Sequence, residues 1–285
     1  MSEVILALDC GGSSIKAAVI RDKDILETRL FPFEGDGRED LLGAFRAAAE
    51  WGASWNATRI GAACPGPFDF NEGASRMVHK WQGIKDVPLA PVLNEALPGV
   101  PVRFLHDSTA YMLGEAWDGA GESMQSPAGV MLGTGFGYAL MQDRLVLLDE
   151  TQTPLVRLWN APFKGGIVED FVSTRAIRKR YTDATGKEAD VKQIADLAHA
   201  GDETAIEVFR ETGRLLGEIL TQYLPEWADG VVLGGRIALS GDLFLPYANT
   251  PVPVVAAKHV DDAALRGIAA YCMRERDQLV REVHS

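Results

Sequence analysis

The chain has 285 residues, 47% of them hydrophobic and 24% charged, with a formal net charge of -12. That length favours two domains, each large enough to fold without staples, and the composition is that of an ordinary globular protein. The acidic balance argues against a nucleic-acid backbone or an anionic membrane surface as the main partner, so any phosphate must be bound locally. Cys10, Cys64 and Cys272 form no Cys-x-x-Cys pair, which argues against a disulfide framework and a cysteine-rich zinc site and fits a reducing cytoplasm. No basic stretch followed by a long apolar run stands ahead of Val4. Neither a signal peptide nor a membrane span is expected, and there is no room there for a DNA-binding helix-turn-helix.

Residues 4–8 are a continuous apolar run that breaks at Asp9-Cys10-Gly11-Gly12-Ser13-Ser14 and resumes over 15–20, and a second turn at 21–24 leads into 25–30. This predicts a three-stranded antiparallel meander. The first turn lacks the Gly-x4-Gly-Lys-Ser/Thr spacing of a P-loop. Its small residues nevertheless let backbone N–H groups approach a phosphate, flanked by the hydroxyls of Ser13 and Ser14 and by Lys16. Lys16 has two readings, a phosphate contact or a solvated charge sent outward by strand alternation. Residues 38–51 carry Leu41, Leu42, Phe45, Ala48 and Ala49 at helical spacing. Residues 59–64 read as a strand closed by the Pro65-Gly66-Pro67 turn, and 88–97 as a short helix ended by Pro98-Gly99.

Val102 and Phe104-Leu105 read as the end of a buried strand, and from Ser108 the pattern becomes helical, with Ala110, Met112, Leu113 and Ala116 on one face. Asp107 stands at this joint. It either caps the helix or, held between two glycine-rich loops, acts as a general base. The meander then recurs: 129–132, the turn Gly133-Thr134-Gly135-Phe136-Gly137, 138–141, a polar turn at 142–144, and 145–148. A match in order, length and turn chemistry implies a duplicated fold holding one nucleotide between its halves. Residues 151–166 read as an irregular loop, 168–181 as a helix, a segment marked by Val191, Ile194, Leu197 and Ala198 as another, and 203–224 as a long one. Residues 230–233 form a buried strand ending in Gly234-Gly235, where the backbone can come close to a flat ligand or a phosphate. Asp261 is expected to cap a last helix over 263–281.

With these residues in place, the chain resembles the ROK family of sugar kinases, within the actin-like ATPase superfamily. Leu8-Asp9-x-Gly11-Gly12-Ser13-Ser14-x-Lys16 is similar to the family's first phosphate motif, and Pro65-Gly66-Pro67-x-Asp69 to its sugar-side turn. His106-Asp107, with Ala110 and Gly114-Glu115-Ala116, resembles the segment bearing the catalytic aspartate. Gly133-Thr134-Gly135-x-Gly137 resembles the second phosphate motif, Val168-Glu169 with Ser173 the sugar-binding glutamate segment, and Gly234-Gly235 the adenosine motif.

The resemblance implies a duplicated, two-domain α/β actin-like ATPase (ribonuclease H-like) fold with nucleotide and sugar in the cleft between domains. Residues 1–107 with 267–285 would form one domain and 108–266 the other. It further implies ATP-dependent transfer of the γ-phosphate to a hydroxyl of a hexose or amino-hexose by a homodimeric enzyme. Asp107 would be the general base, Asp9 would hold Mg2+ through water, and Gly66 and Glu169 would meet the sugar, while His106 either replaces the family's Asn at the sugar or is a packed or capping residue. Two departures stand out. His106 occupies the position where the family commonly has Asn, and no Cys or His lies between Thr151 and Glu169, so the family's structural zinc cannot be built there. Trp159 and Asn160, in that loop, are either a substitute sugar wall or a solvent shield. The departures motivate a second reading, a catalytically weak sugar- or nucleotide-binding regulatory protein on the same fold. Retention of Asp9, Asp107, Glu169 and both glycine loops favours the kinase.

Overall fold

The computed structural model describes residues 3–284. Residues 3–122, 145–155 and 262–284 cluster as one compact unit, and 123–144 with 156–261 as a second. In the first, β1 (Val4–Cys10), β2 (Ser14–Arg21) and β3 (Asp24–Pro32) form the antiparallel meander. Helix α1 (Arg38–Ser54) returns the chain to β4 (Arg59–Cys64), which pairs parallel to β1. A small hairpin, β5 (Phe68–Asp69) with β6 (Ala74–Ser75), and helix α2 (Leu89–Asn94) precede β7 (Val102–His106), parallel to β4. The sheet order is β3-β2-β1-β4-β7. Strand β1 is buried along nearly its whole length because β2 and β4 flank it and helices cover it, hence its unbroken apolar run. Leu41, Phe45 and Ala48 of α1 enter the core, where the Phe45 ring meets fully buried Trp81 edge-on.

Helix α3 (Asp107–Asp118) starts directly where β7 ends. In the second unit, β8 (Pro127–Leu132) and β9 (Phe136–Gln142) are antiparallel, β13 (Gly230–Gly234) lies parallel to β8, and β14 (Val254–Ala256) parallel to β13. The β2-β1-β4-β7 pattern of directions thus returns as β9-β8-β13-β14, as the internal repeat predicts. Between them lie a short hairpin, β11 (Pro162–Phe163) with β12 (Gly166–Ile167), and helices α4 (Glu169–Val172), α5 (Thr174–Thr185), α6 (Val191–His199) and α7 (Glu203–Tyr223). A capping box, Asp190 with Gln193, starts α6. Helix α8 (Gly241–Phe244) follows β13.

The first unit is completed by β10 (Leu145–Leu148), α9 (Ala263–Met273) and β15 (Val280–Glu282), which pairs parallel to β10. Helices α3 and α9 touch backbone to backbone: a Cβ on Gly114 would fall on the Ala263 carbonyl, and one on Gly267 on the Ala110 carbonyl. The helix that begins at Asp107 is therefore fixed by a second helix lying against it.

Four sequence expectations change. The helix expected over 168–181 is two, α4 and α5, because Ser173 leaves helical geometry and its hydroxyl accepts from the Ala176 N–H to start the second. The last helix stops at Met273, where the Arg103 guanidinium donates to the carbonyls of Tyr271 and Arg274. The chain beyond it forms β15 instead. Asp262, not Asp261, occupies the position before that helix, and its side chain makes no capping bond. Residues 151–166, expected to be irregular, contain the first strand of the β11–β12 hairpin. Among the described residues no helix is long and apolar enough to cross a membrane.

Candidate active site

In the first unit the chemistry gathers at the C-terminal ends of three adjacent parallel strands, the usual place for ligands in such sheets. Strand β1 ends in Asp9-Cys10, β4 in Cys64 followed by Pro65-Gly66, and β7 in His106 followed by Asp107. His106, in extended geometry, is the N-cap residue of α3, and its Nδ1 can accept from the Ser108 N–H at 3.2 Å. The capping task that the sequence left open for Asp107 is thus shared with its neighbour. Asp107 Oδ1 accepts from the Ser108 N–H at 2.6 Å and from the Ser108 hydroxyl at 3.2 Å, and lies 2.9 Å from His106 Nδ1. When that nitrogen carries a proton it donates to Asp107; when it does not, it accepts from Ser108. The Asp107 side chain remains 43% exposed, so a substrate can reach it. Desolvation works to raise its carboxyl, but the imidazole and the Ser108 donors outweigh that and hold it below the usual carboxylate range.

Asp9 and Lys16 are direct cross-strand partners in the β1–β2 ladder. Asp9 is pushed up to about 6 by desolvation and then by the charge of Asp107, with Lys16 pulling the other way. Two carboxylates that repel each other, with a single lysine as the counter-charge acting on Asp9, form a donor set suited to a hard cation. Lys16 is half-buried and stands opposite Asp9 across the ladder. Between them the turn is exposed at Gly11, Gly12 and Ser13. It is closed by Gly11 N–H donating to the Ser14 carbonyl at 2.9 Å, and Phe33 N–H donates to the Ser13 carbonyl at 3.0 Å. Gly66, joined to Pro67 by a cis peptide, lies so near the imidazole that a Cβ would stand 3.4 Å from His106 Nε2. The sugar-side turn and His106 are therefore neighbours. Asp69 is occupied structurally: it accepts from the N–H groups of Asn71 and Glu72 and pairs with Arg76 at 2.9 Å, which together keep its carboxyl low.

In the second unit, the turn after β8 is held by side chains from outside it. Gly133 N–H donates to the Gly135 carbonyl at 3.1 Å. The Gly133 carbonyl accepts from both the N–H and the hydroxyl of Thr174, at 2.8 and 2.9 Å. Glu169 Oε2 accepts from Phe136 N–H at 3.1 Å, and a Cβ on Gly135 would stand 2.7 Å from that oxygen. Glu169 thus closes directly over Gly135, and a side chain there would have to displace its carboxylate, while Thr134 stays exposed at the tip and Gly137 lies in β9. Glu169 is half-buried; its own N–H donates to the Trp159 carbonyl at 3.1 Å, placing that loop against it, with the Trp159 ring 46% exposed. Gly234 ends β13, and Gly235 adopts φ +82 against the backbone of Leu132, a conformation and a closeness that call for glycine.

The sequence reading missed the anchors. Thr174 ties α5 to the second loop, and Gly114 and Gly267 fix α3; the signal for the first was the Ser173-Thr174 pair inside an apolar helical pattern. Residues 5–147 and 161–275 match the ROK family profile. N-acetyl-D-glucosamine kinase of Haemophilus influenzae is 26% identical, over 92% of this chain and 97% of that protein. Glucokinase of Thermotoga maritima is 26% identical over 95% and 98%. Among solved structures, the ROK hexokinase from Thermus thermophilus superposes with a TM-score of 0.77 at 26% identity, covering 95% of this chain and 98% of that one. With the family profile spanning both units, the chain belongs to the ROK family.

Proposed function

We propose that this chain is an ATP-dependent sugar kinase that transfers the γ-phosphate to a hydroxyl of a hexose or amino-hexose. The observation that carries the reading is Asp107: a reachable carboxylate, held ionised at a strand-to-helix joint by His106 and Ser108. In such a reaction the protein positions the partners and neutralises charge. Asp107 takes the proton of the attacking hydroxyl, and His106, beside Gly66, orients the carboxylate and meets the sugar. Glu169 Oε1, which makes no hydrogen bond among the described residues, accepts from sugar hydroxyls while Oε2 steadies the second loop. The backbone and hydroxyls of Gly11–Ser14 and Gly133–Gly135 cradle phosphates, with Lys16 as a charge contact and Gly234-Gly235 admitting the nucleoside. Asp9 would hold Mg2+ through water, and the ion would neutralise phosphate charge as it moves.

The reading includes independence from zinc, since no Cys or His lies between Thr151 and Glu169, and gives Trp159 and Asn160 to the sugar side beside Glu169. On its family resemblance and free thiols it is a cytoplasmic homodimer with a small-molecule sugar partner and no nucleic acid. ADP release in a panel of glucose, mannose, fructose and their N-acetylated amino-sugars is the test. Turnover of at least one sugar is expected; binding without turnover of any would favour the regulatory protein.

A further inference from the structure

A cavity of about 300 Å³ opens beside β7, the edge strand of its sheet, with every wall drawn from the first unit. That volume is at the lower end of the range for small-ligand sites. Phe70 and Phe104 give it an aromatic wall, braced by Phe68, whose ring centroid lies 5.1 Å from the one and 5.6 Å from the other. Two polar groups complete the lining. Arg103 and Arg276 flank Tyr271: the Arg103 guanidinium lies 5.5 Å from the ring centroid, and Arg276 reaches the phenol hydroxyl. Arg103 commits one nitrogen to the carbonyls of Tyr271 and Arg274, and Arg276 one to Glu282. Since a guanidinium carries five N–H donors, both keep donors to spare. The second group is the turn of the β5–β6 hairpin, where Gln152 Nε2 donates to Asn71 Oδ1 at 2.5 Å. The Asn71 amide nitrogen, Gln152 Oε1 and the Glu72 carboxylate have no partner among the described residues.

Two guanidiniums in one small cavity of a chain with net charge -12 attract an anion locally, and their planar forks suit a phosphate. A carboxylate and two amides suit hydroxyls, and aromatic faces suit the C–H faces of a sugar ring. One ligand class meets all three demands, a hexose phosphate. Inorganic phosphate would leave the hydroxyl partners unfilled, and a free sugar would leave the guanidiniums unfilled. The cavity also touches the catalytic groups. Asn71 and Glu72 donate their N–H groups to Asp69, close to the Gly66-Pro67 turn, and the Phe70 ring centroid lies 6.0 Å from that of His106. Asp107 is already reachable and held ionised by His106, so a ligand that shifts Phe70 against His106 can only disturb that arrangement. A displacement of about 1 Å there is enough to slow the chemistry strongly. We propose that this cavity is a regulatory site for a hexose phosphate, the class of product the kinase would release, and that its occupancy lowers turnover through Phe70 and His106.

The effect on turnover rests on the kinase reading, whereas binding does not, and two measurements on the full chain separate their failures. Calorimetry titrates glucose 6-phosphate and N-acetylglucosamine 6-phosphate into protein saturated with ADP and the parent sugar, so that the catalytic site is filled. At least one should bind, and inorganic phosphate at least tenfold more weakly. Ala90→Phe, which fills the cavity from a half-buried position on α2, should abolish that binding. Arg276→Ala gives up only a partly exposed pair with Glu282 and should weaken it about tenfold, the scale of one charge-assisted contact discounted for solvent. In steady-state kinetics the hexose phosphate should lower kcat and leave KM for the sugar unchanged. Both variants should keep wild-type kcat in its absence and lose the inhibition in its presence. No binding to the saturated protein, equal affinity in the wild type and both variants, inhibition strictly competitive with the sugar, or a kcat indifferent to the ligand would each overturn the proposal. Absence of turnover with any sugar strikes the kinase reading alone, and the loss of binding in Ala90→Phe and Arg276→Ala still decides the cavity.

Discussion

The two units repeat the same strand directions, yet they load the equivalent strand end differently. In the first, β1 delivers a carboxylate, Asp9, and the turn after it is closed by main-chain bonds from Gly11 and Phe33. In the second, β8 delivers Leu132 and then a glycine turn clamped by Glu169 of α4 and Thr174 of α5. One copy gathers Asp9, Asp107, His106 and Lys16; the other offers backbone donors and hydroxyls, with the Glu169 carboxylate committed to holding the turn. A duplicated scaffold has thus divided labour: the charged copy suits proton and metal chemistry, and the neutral copy suits holding an anion. Each copy should consequently fail differently when broken.

The largest effect is expected in the charged copy. Asp107→Asn keeps the size of the side chain, and His106 still caps α3, so the fold should be retained. The ability to take the sugar proton is lost, and kcat should fall by about 10² to 10⁴-fold with little change in nucleotide affinity. Stopped-time assays alongside calorimetry with ADP check both halves of that statement; a folded variant with wild-type kcat would return Asp107 to a purely structural place. Next comes Gly267→Ala. Its new methyl would fall on the Ala110 carbonyl, and because the obstacle is backbone, the loss should reach or exceed the ~1–3 kcal/mol typical of overpacking. Urea unfolding reads this directly, and kcat should fall too if α3 shifts, since Asp107 begins that helix.

These two cases also show what was legible beforehand. Both meanders, the glycine turns and the Asp107 joint could be read because short continuous apolar runs and the turn residues that break them are local signals. The break at Ser173 was not, because Val172, Ile177 and Tyr181 keep a helical apolar rhythm across it and only the hydroxyl's capping role ends the first helix. The early stop of α9 depended on Arg103, distant in sequence, reaching the carbonyls of Tyr271 and Arg274. The α3–α9 contact was hidden for the same reason: Gly114 and Gly267 are informative only as a pair. Glu169 could be named as a candidate from sequence, but its bond to Phe136 N–H could not be foreseen, since loop closure is a tertiary fact.

A smaller effect tests the strain in the charged copy. The folded carboxyl of Asp9 titrates near 6, against an ordinary value of 3.8, so its charged form is worse off in the fold than in the unfolded chain. The resulting destabilisation is fully present above pH about 6 and fades as pH falls toward 3.8. Metal-free Asp9→Asn should therefore be more stable than wild type at pH 7–8, by about 1–3 kcal/mol, with the gain vanishing near pH 4. Thermal unfolding across that range is the check, and a variant equally destabilised at every pH would show that Asp9 is a packing residue. The same variant should be a poor kinase, as a site group that trades stability for function would be.

The smallest effect belongs to the neutral copy. Thr174→Val preserves volume and the N–H that donates to the Gly133 carbonyl, and it leaves Ser173 to start α5. Only the hydroxyl's bond to that carbonyl is removed, worth about 0.5–1.5 kcal/mol as a neutral hydrogen bond. The turn keeps its second anchor at Glu169, so the loop should loosen without collapsing. KM for ATP should then rise about two- to tenfold, the same energy expressed as a ratio, while kcat and the pH profile set by Asp107 hold. If kcat fell as far as in Asp107→Asn, the division between a copy that does proton chemistry and a copy that only grips would be wrong. If neither parameter moved, Glu169 and the Thr174 N–H would suffice to hold the loop, and the hydroxyl would be a bystander.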